Sequence, residues 1–182
     1  MKRAIGLCAR LAEPLAGRLL RLGLIRRALH RRALRAWRAT DTPLILCFGN
    51  INRSPFAAAL ARVRPGSRAS SAGFYPETGR PSPGRTVAVA KRYGVDLSEH
   101  RSAVVSSAQL SDAKAIFVFD LENLVRLAAR DPRALRRAHL LGTLGESGAA
   151  LIVDPHGRGD AVLEQVLGEI AGSIDWADHA SA

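Results

Sequence analysis

The residues best suited to chemistry are Cys47 and Arg53, which are separated by five residues and followed directly by Ser54. A cysteine thiolate is a strong nucleophile, and a guanidinium group can donate two parallel hydrogen bonds to phosphoryl oxygens. This spacing predicts a loop that binds a phosphate group and attacks it through sulfur. The residues between the pair are Phe48, Gly49, Asn50, Ile51 and Asn52.

The flanking sequence predicts the elements that position this loop. An apolar stretch over residues 44–46 precedes it and a helix-like stretch over 56–61 follows it, which indicates a strand, a tight loop and a helix start. Backbone N–H groups and the helix dipole at such a junction bind anions and favour the thiolate of Cys47. Ser54 is predicted to cap the helix with Pro55 at its first position, and the Ser54 hydroxyl is close enough to donate to the sulfur.

Four later segments of the sequence carry further motifs that follow the loop along the chain. They are Ser-Ala-Gly at residues 71–73, the run 94–102, the run 119–124 and Asp-Pro at 154–155. Together with the loop, they resemble the low-molecular-weight protein tyrosine phosphatases, over about residues 43 to 175. The resemblance implies Cys47 as nucleophile, Arg53 as phosphate clamp and Asp154 as general acid on a mobile loop. It also implies loop support from Asn50 and Ser54, substrate binding by residues 48–52 and Ser54, and no metal or cofactor.

Two positions depart from the family pattern. Many members carry a second cysteine where this chain has Asn52, and that neighbour protects the nucleophile through a reversible disulfide. Many members also have aromatic residues after the Asp-Pro pair, where this chain has His156 and Gly157. These departures therefore concern the preference for phosphotyrosine and not the phosphatase chemistry. Phe74 or Tyr75 is a candidate for the missing aromatic wall, with ordinary loop packing as the alternative.

The general acid and the histidines are weaker predictions from the residues alone. Asp154 precedes a proline in a glycine-rich stretch, a pattern more typical of a simple turn than of a catalytic lid. The resemblance favours the lid and its acid. His100 is predicted to make a structural hydrogen bond and His156 to lie in the loop near the site, and none of the five histidines has a partner at metal-binding spacing.

The positive charge of the chain is concentrated at one end. The net charge is +11, but residues 1–40 contain 11 Lys and Arg residues against one acid, which leaves 16 basic and 15 acidic residues in the remainder. A nearly neutral body argues against a nucleic-acid-binding domain. Two cysteines, at positions 8 and 47, do not make a disulfide framework, so a cytoplasmic setting is expected.

Residues 1–40 are predicted to form a basic amphipathic arm, and residues 41–182 the catalytic domain. Arginines cover one side of the arm, and the other side carries apolar residues at helical spacing: Leu15, Leu19, Leu22, Leu29, Ala33 and Trp37. No apolar stretch approaches the roughly 20 residues needed to cross a bilayer. A helix lying on an anionic membrane is the first interpretation, which places the protein peripherally at the membrane. A transit peptide, a partner-docking helix, a phosphate-backbone binder and an unselected tail remain alternatives.

The sequence pattern of residues 41–182 predicts an α/β fold. β-prone stretches near 44–48, 68–72, 115–119 and 138–141 alternate with helical patterns near 55–64, 83–93, 121–130 and 160–175. This alternation, and the resemblance, predict a three-layer αβα domain with a four-stranded parallel sheet. Ligands bind beyond the carboxyl ends of strands in such sheets, where the Cys47 loop lies.

The predicted activity is cysteine-dependent hydrolysis of phosphotyrosine through a phosphocysteine intermediate, with phosphotyrosine proteins and a tyrosine kinase as partners. An arsenate reductase shares this fold and loop but needs resolving cysteines late in the chain, and none follows Cys47. A phosphate-binding, membrane-associated protein without turnover is the remaining alternative.

Overall fold

The computed structural model describes residues 13–14, 23–145 and 149–179. Four strands form one parallel sheet in the order β2-β1-β3-β4, which confirms the predicted sheet. The strands are β1 (Leu44–Cys47), β2 (Ser70–Gly73), β3 (Ile116–Val118) and β4 (Ala138–Leu140). The helices are α1 (Gly23–Arg38), α2 (Arg53–Ala61), α3 (Gly84–Lys91), α4 (Ser107–Asp112), α5 (Leu121–Arg130) and α6 (Asp160–His179).

Residues alternate between the two faces of the sheet, and each face has its own apolar core. Ile45 of β1 and Phe117 of β3 belong to the core beneath α1, α2 and α6. Leu46 and Val118, one residue further along, belong to the core beneath α4 and α5. Because both faces are covered, all four residues of β1 are buried, as expected for a parallel sheet between helices. The predicted three-layer αβα architecture is confirmed.

The predicted strands and helices are present with shifted ends, and the structure has one α-helix that the sequence analysis does not predict. This is helix α4, at whose start Ser106 and Gln109 form a reciprocal capping box. That pattern is readable from sequence as Ser-x-x-Gln. Six residues are too few to display the apolar periodicity by which longer helices are recognised.

Helix α1 lies in the predicted arm and packs against the domain. Ala33 and Trp37 are completely buried, and the Trp37 ring meets Phe117 of β3 edge-on at 5.1 Å between centroids. The Trp37 indole Nε1–H donates to Asp178 of α6 at 2.9 Å. These two members of the predicted membrane-binding face are therefore occupied by the protein core, whereas Leu15, Leu19 and Leu22 lie outside the described residues. We propose that the folded unit begins with α1 rather than at residue 41.

The outward side of α1 remains strongly basic. Four of its five exposed arginines recur at intervals of four, four and three residues and so form one stripe: Arg27, Arg31, Arg35 and Arg38. None of the helices that the structure describes is both long and apolar enough to pass through a bilayer.

Candidate active site

The predicted catalytic loop joins β1 to α2 at the carboxyl edge of the sheet. Cys47 is the last residue of β1 and Arg53 the first of α2, so the five intervening residues form the tight turn between them. This loop forms the floor of a cavity that also includes Asp154, from a segment a hundred residues away. Its lining residues are Cys47, Phe48, Gly49, Ile51, Asn52, Arg53, Tyr75, Arg80, Asp154 and His156. Asn50 and Ser54 are buried behind the loop and do not line the cavity.

Two hydrogen bonds surround the Cys47 sulfur. The backbone N–H of Asn50 donates to Sγ at 3.2 Å, and the Ser54 Oγ lies 3.0 Å from it. Hydrogen bonds to an ionised acceptor are stronger than bonds to a neutral one. Because a thiolate can only accept, both contacts stabilise the ionised form of Cys47 that a nucleophile requires.

Asn50 holds the loop in an unusual conformation. Its φ of 50° lies in the left-handed region, where asparagine is tolerated better than most side chains. Its side-chain amide donates to Ser54 at 2.9 Å and to Ser71 at 3.0 Å, while its Oδ1 accepts from the Ala103 N–H at 2.8 Å. The loop is thereby tied to β2 and to the segment that follows α3, as the predicted support role of Asn50 requires.

His100 and Gly73 support the same turn from outside. The Asn50 carbonyl can only accept, so His100 donates to it through Nε2–H at 2.8 Å, as predicted for a structural histidine. Burial lowers the pKa of His100, which keeps the ring neutral. A Cβ at Gly73 would lie 2.8 Å from the Phe48 carbonyl oxygen and 2.9 Å from the Asn50 Cβ, so only glycine permits this close approach.

Arg53 is almost completely buried between carboxylates. Its Nη1 bonds to Asp120 at 2.6 Å and to the Ile152 carbonyl at 3.0 Å. Its Nη2 lies 2.9 Å from Asp154, and its Nε is buried with no hydrogen-bond partner among the described residues. Burial opposes the charged guanidinium, but the charges of Asp120, Asp154 and Cys47 outweigh burial and raise the pKa of Arg53. Nε and Nη2 form the guanidinium edge suited to a phosphoryl group.

Asp120 was not singled out from the sequence as a site residue. It caps α5 by accepting from the Asn123 N–H at 2.7 Å with one oxygen, and it holds Arg53 with the other. The capping role alone explains an aspartate at a helix start. Only its position at the end of β3, next to β1 in the sheet, brings it to Arg53.

Asp154 lies at the mouth of the cavity. Its side chain is 36% exposed, and its Oδ1 accepts from the His156 N–H at 3.1 Å while Oδ2 contacts Arg53. The carboxylate is therefore both aimed into the site and open to solvent. This position suits an acid that must exchange protons with water and with a leaving group.

Ser54 does not have the predicted cap role, and Asn52 makes an additional contact. Ser54 was predicted to cap α2, but it lies inside the first turn, because α2 begins at Arg53 and its N-cap is Asn52. The Ser54 hydroxyl contacts Cys47 and Asn50 instead of a helix N–H. Asn52 accepts a 2.6 Å hydrogen bond from buried Thr86 of α3, which ties the loop to a second helix.

Phe48 and Tyr75 form an aromatic wall on one side of the cavity. The Phe48 and Tyr75 rings meet edge-on at 5.5 Å between centroids, and both line the cavity. Phe74, the other candidate for this wall, packs into the core beneath α4 and α5. His156 lines the cavity near the site, as predicted. Among the described residues, no three His, Cys, Asp or Glu side chains converge in a way that could hold a metal ion.

Comparison with known proteins identifies the family. Residues 44–176 match the family model for low molecular weight phosphotyrosine protein phosphatase. The chain is 33% identical over 143 residues to a probable low molecular weight protein-tyrosine-phosphatase, EpsP, of Ralstonia nicotianae, covering 78% of this chain and 97% of that protein.

Solved structures agree with this assignment. Wzb of Vibrio vulnificus in complex with benzylphosphonate has a TM-score of 0.68 at 27% identity, covering 76% of this chain and 97% of Wzb. The YwlE arginine phosphatase of Geobacillus stearothermophilus has a TM-score of 0.69 at 26% identity, covering 77% and 92%. With a matching loop, sheet and family model over residues 44–176, the chain belongs to the low-molecular-weight protein tyrosine phosphatase family.

Proposed function

We propose that the protein hydrolyses phosphotyrosine monoesters in proteins through a phosphocysteine intermediate. The observation that carries this proposal is the convergence of Cys47, Arg53 and Asp154 in one cavity with an aromatic side wall. A nucleophile, a phosphate-binding cation and an acid at the mouth are the groups that hydrolysis of an aryl phosphate needs.

The first step transfers the phosphoryl group to sulfur. The Cys47 thiolate attacks phosphorus, and the bond from phosphorus to the tyrosine oxygen breaks with its electron pair going to that oxygen. Protonated Asp154 donates its proton to the leaving phenolate. Loop N–H groups and Arg53 bind the equatorial oxygens, where negative charge is spread in the transition state.

The second step releases phosphate. Asp154, now a carboxylate, accepts a proton from a water molecule as that water attacks the phosphocysteine. The bond between phosphorus and sulfur breaks, and its electron pair returns to Cys47 as the thiolate. The Ser54 hydroxyl and the Asn50 N–H, at 3.0 and 3.2 Å from Sγ, stabilise this leaving group.

Asp154 and a phosphate compete for the same donor. Nη2 of Arg53 contacts Asp154, whereas Nη1 is held by Asp120. A phosphoryl group that bonds to Nε and Nη2 displaces the Asp154 carboxylate from Arg53 towards the cavity mouth, where the leaving oxygen lies. Substrate binding therefore frees the acid for its task without moving the clamp.

The wall of Phe48 and Tyr75 favours an aromatic leaving group, since a phenyl ring packs against such a wall. The arginine phosphatase with the same fold makes phosphoarginine the informative comparison substrate. Phosphotyrosine arises by kinase action, so a tyrosine kinase must act upstream of this enzyme on the same proteins.

The test compares wild type with Cys47→Ser. Wild type is expected to hydrolyse a phosphotyrosine peptide and an aryl phosphate, and to show a burst of phenol release equal to the enzyme concentration when water attack is slow. Cys47→Ser is expected to lose turnover, because a serine hydroxyl is ionised far less readily than a thiol. Retained turnover in this variant would contradict the mechanism. Faster hydrolysis of phosphoarginine than of phosphotyrosine would contradict the substrate.

We also propose that the arginine stripe of α1 binds anionic lipid surfaces. Each cationic residue near such a surface contributes about 1 kcal/mol. Changing Arg27, Arg31, Arg35 and Arg38 together to Gln is expected to weaken sedimentation with phosphatidylserine vesicles at low salt, and wild-type binding should fall as salt rises. No binding by wild type, or equal binding to phosphatidylcholine vesicles, would contradict a lipid partner.

A further inference from the structure

Arg80 is a second cation in the cavity, and the catalytic steps above do not use it. It follows β2 in the chain and lines the cavity with Cys47 and Arg53. Its backbone is anchored to Ser102, whose N–H donates to the Arg80 carbonyl at 2.9 Å and whose Oγ accepts from the Arg80 N–H at 3.1 Å. These two bonds fix the backbone of Arg80, and so its side chain starts from a fixed position beside the cavity.

The Arg80 side chain is held in place by neutral groups. Its guanidinium carbon lies 4.0 Å from the centroid of the Tyr75 ring, and Nη2 donates to the Gly49 carbonyl. Within the described residues it forms no ion pair, and its buried Nε has no hydrogen-bond partner. Arg53 differs, because Asp120 and Asp154 balance its charge. Arg80 therefore contributes a positive charge that the protein itself leaves unbalanced.

The charge distribution around Phe48 is asymmetric. Arg80 and Tyr75 lie on one side. On the other, Arg126 lies 4.2 Å from the centroid of the Phe48 ring, and the adjoining cavity is lined by four carboxylates and by Arg158. The carboxylates are those of Glu13, Asp120, Glu122 and Asp154. Asp120 and Asp154 pair with Arg53, and Glu122 pairs with Arg126, so these charges are already matched. A negatively charged group beside the substrate ring is attracted towards Arg80, whose charge no carboxylate of the described residues matches.

We propose that Arg80 is a specificity-determining residue that binds a carboxylate next to the phosphotyrosine, so that the preferred substrates are acidic phosphotyrosine peptides. This inference rests on the proposed function and deepens it. A guanidinium already fixed by a ring and a carbonyl loses little freedom when it binds a carboxylate, which is the advantage of a preorganised site.

The experiment measures kcat/KM for pairs of phosphotyrosine peptides that differ only in Glu or Gln at the residue before or after phosphotyrosine. Wild type is expected to prefer the Glu peptide of at least one pair by about three- to tenfold, the range of a partly exposed, charge-assisted contact. Arg80→Met keeps the apolar stem and should bring this ratio to about one. Arg80→Lys should retain part of it.

The ratio separates recognition from support of the loop, because Arg80 also touches Gly49. If Arg80→Met lowers kcat/KM equally for both peptides and preserves the ratio, Arg80 only supports the loop and the inference is wrong. Arg101→Met, which removes an exposed arginine bonded to Ser98 and His100 outside the cavity, is the matched control and should keep the ratio. A wild-type ratio of one in both pairs also overturns the inference. Failure of wild type to hydrolyse any phosphotyrosine peptide would instead overturn the proposed function.

Discussion

At the scale of single residues, the site depends on one buried cation shared by two carboxylates. Asp120 holds Arg53 from within the protein and Asp154 meets it from the solvent side. Their exposures differ accordingly, at 7% for the Asp120 side chain and 36% for Asp154. Similar carboxylates are thereby assigned different tasks, since the buried one fixes geometry and the exposed one can exchange protons.

Asp154→Asn is expected to slow phosphoenzyme formation by roughly 100- to 10,000-fold for substrates with basic leaving groups. The slowing should be much smaller for activated phenols, because a stable phenolate leaves without a proton. Single-turnover rates across a series of aryl phosphates measure this difference. Equal losses along the whole series would show that Asp154 is not the acid.

Asn52 is expected to affect the response of Cys47 to oxidation. Its side chain is bonded to Thr86 at 2.6 Å and offers no thiol, so a sulfenic acid on Cys47 lacks a partner at this neighbouring position. Peroxide is expected to drive Cys47 to sulfinic acid, with little activity recovered by dithiothreitol. Asn52→Cys should allow recovery, and mass spectrometry of the Cys47 peptide distinguishes the products. Full recovery in wild type after prolonged peroxide would contradict this prediction.

At the scale of elements, the contact between α1 and the edge strand β4 is sensitive to acid. Burial, together with the charge of Arg32 on α1, lowers the pKa of His139 to about 4. The unfolded chain binds this proton below about pH 6.5, whereas the folded protein does not until about pH 4. Stability is therefore fully present above pH 6.5 and falls as the pH drops towards 4.

One proton taken up on unfolding gives a slope of at most about 1.4 kcal/mol per pH unit. Urea unfolding of wild type and His139→Gln between pH 7 and 4 measures this slope. The variant is expected to lose less stability across this range than wild type does. Parallel curves for the two proteins would show that His139 titrates normally in the folded state.

At the scale of the whole molecule, α1 extends the domain on the side of α2 and α6. Trp37 fills a position against Phe117, and Arg64 lies over its ring at 5.2 Å. Midway along α1, the ring nitrogen of His30 lies 2.9 Å from the Thr143 carbonyl oxygen. These contacts lie along the C-terminal half of α1, so that half of the helix is part of the fold.

Removing residues 1–40 is therefore expected to destabilise the protein strongly, because it uncovers Phe117 and its neighbours, whereas removing residues 1–22 should not. Trp37→Ala should cost about 3–5 kcal/mol, the usual range for deleting a large buried ring. Thermal and urea unfolding of the three variants against wild type measure the effect. Equal stability of both truncations would show that α1 contributes nothing to the fold.

The sequence by itself determined the strand, the loop and the helix around Cys47, because these residues are adjacent and short-range rules govern them. The spacing of Cys47 and Arg53, the need for a helix N-terminus and the alternation of strands and helices are all local properties. The prediction that Ser54 caps α2 is wrong, because in the folded loop its hydroxyl contacts Cys47 and Asn50.

Only the tertiary structure decided which distant residues complete the site. Asp120 and Ile152 reach Arg53 across 67 and 99 residues, because a parallel sheet gathers the carboxyl ends of its strands at one edge. The sequence alone also leaves open what the apolar stripe of α1 contacts, since a membrane and a protein core both accept apolar side chains. The structure places Ala33 and Trp37 in the core, because the sheet face beneath them needs a covering helix.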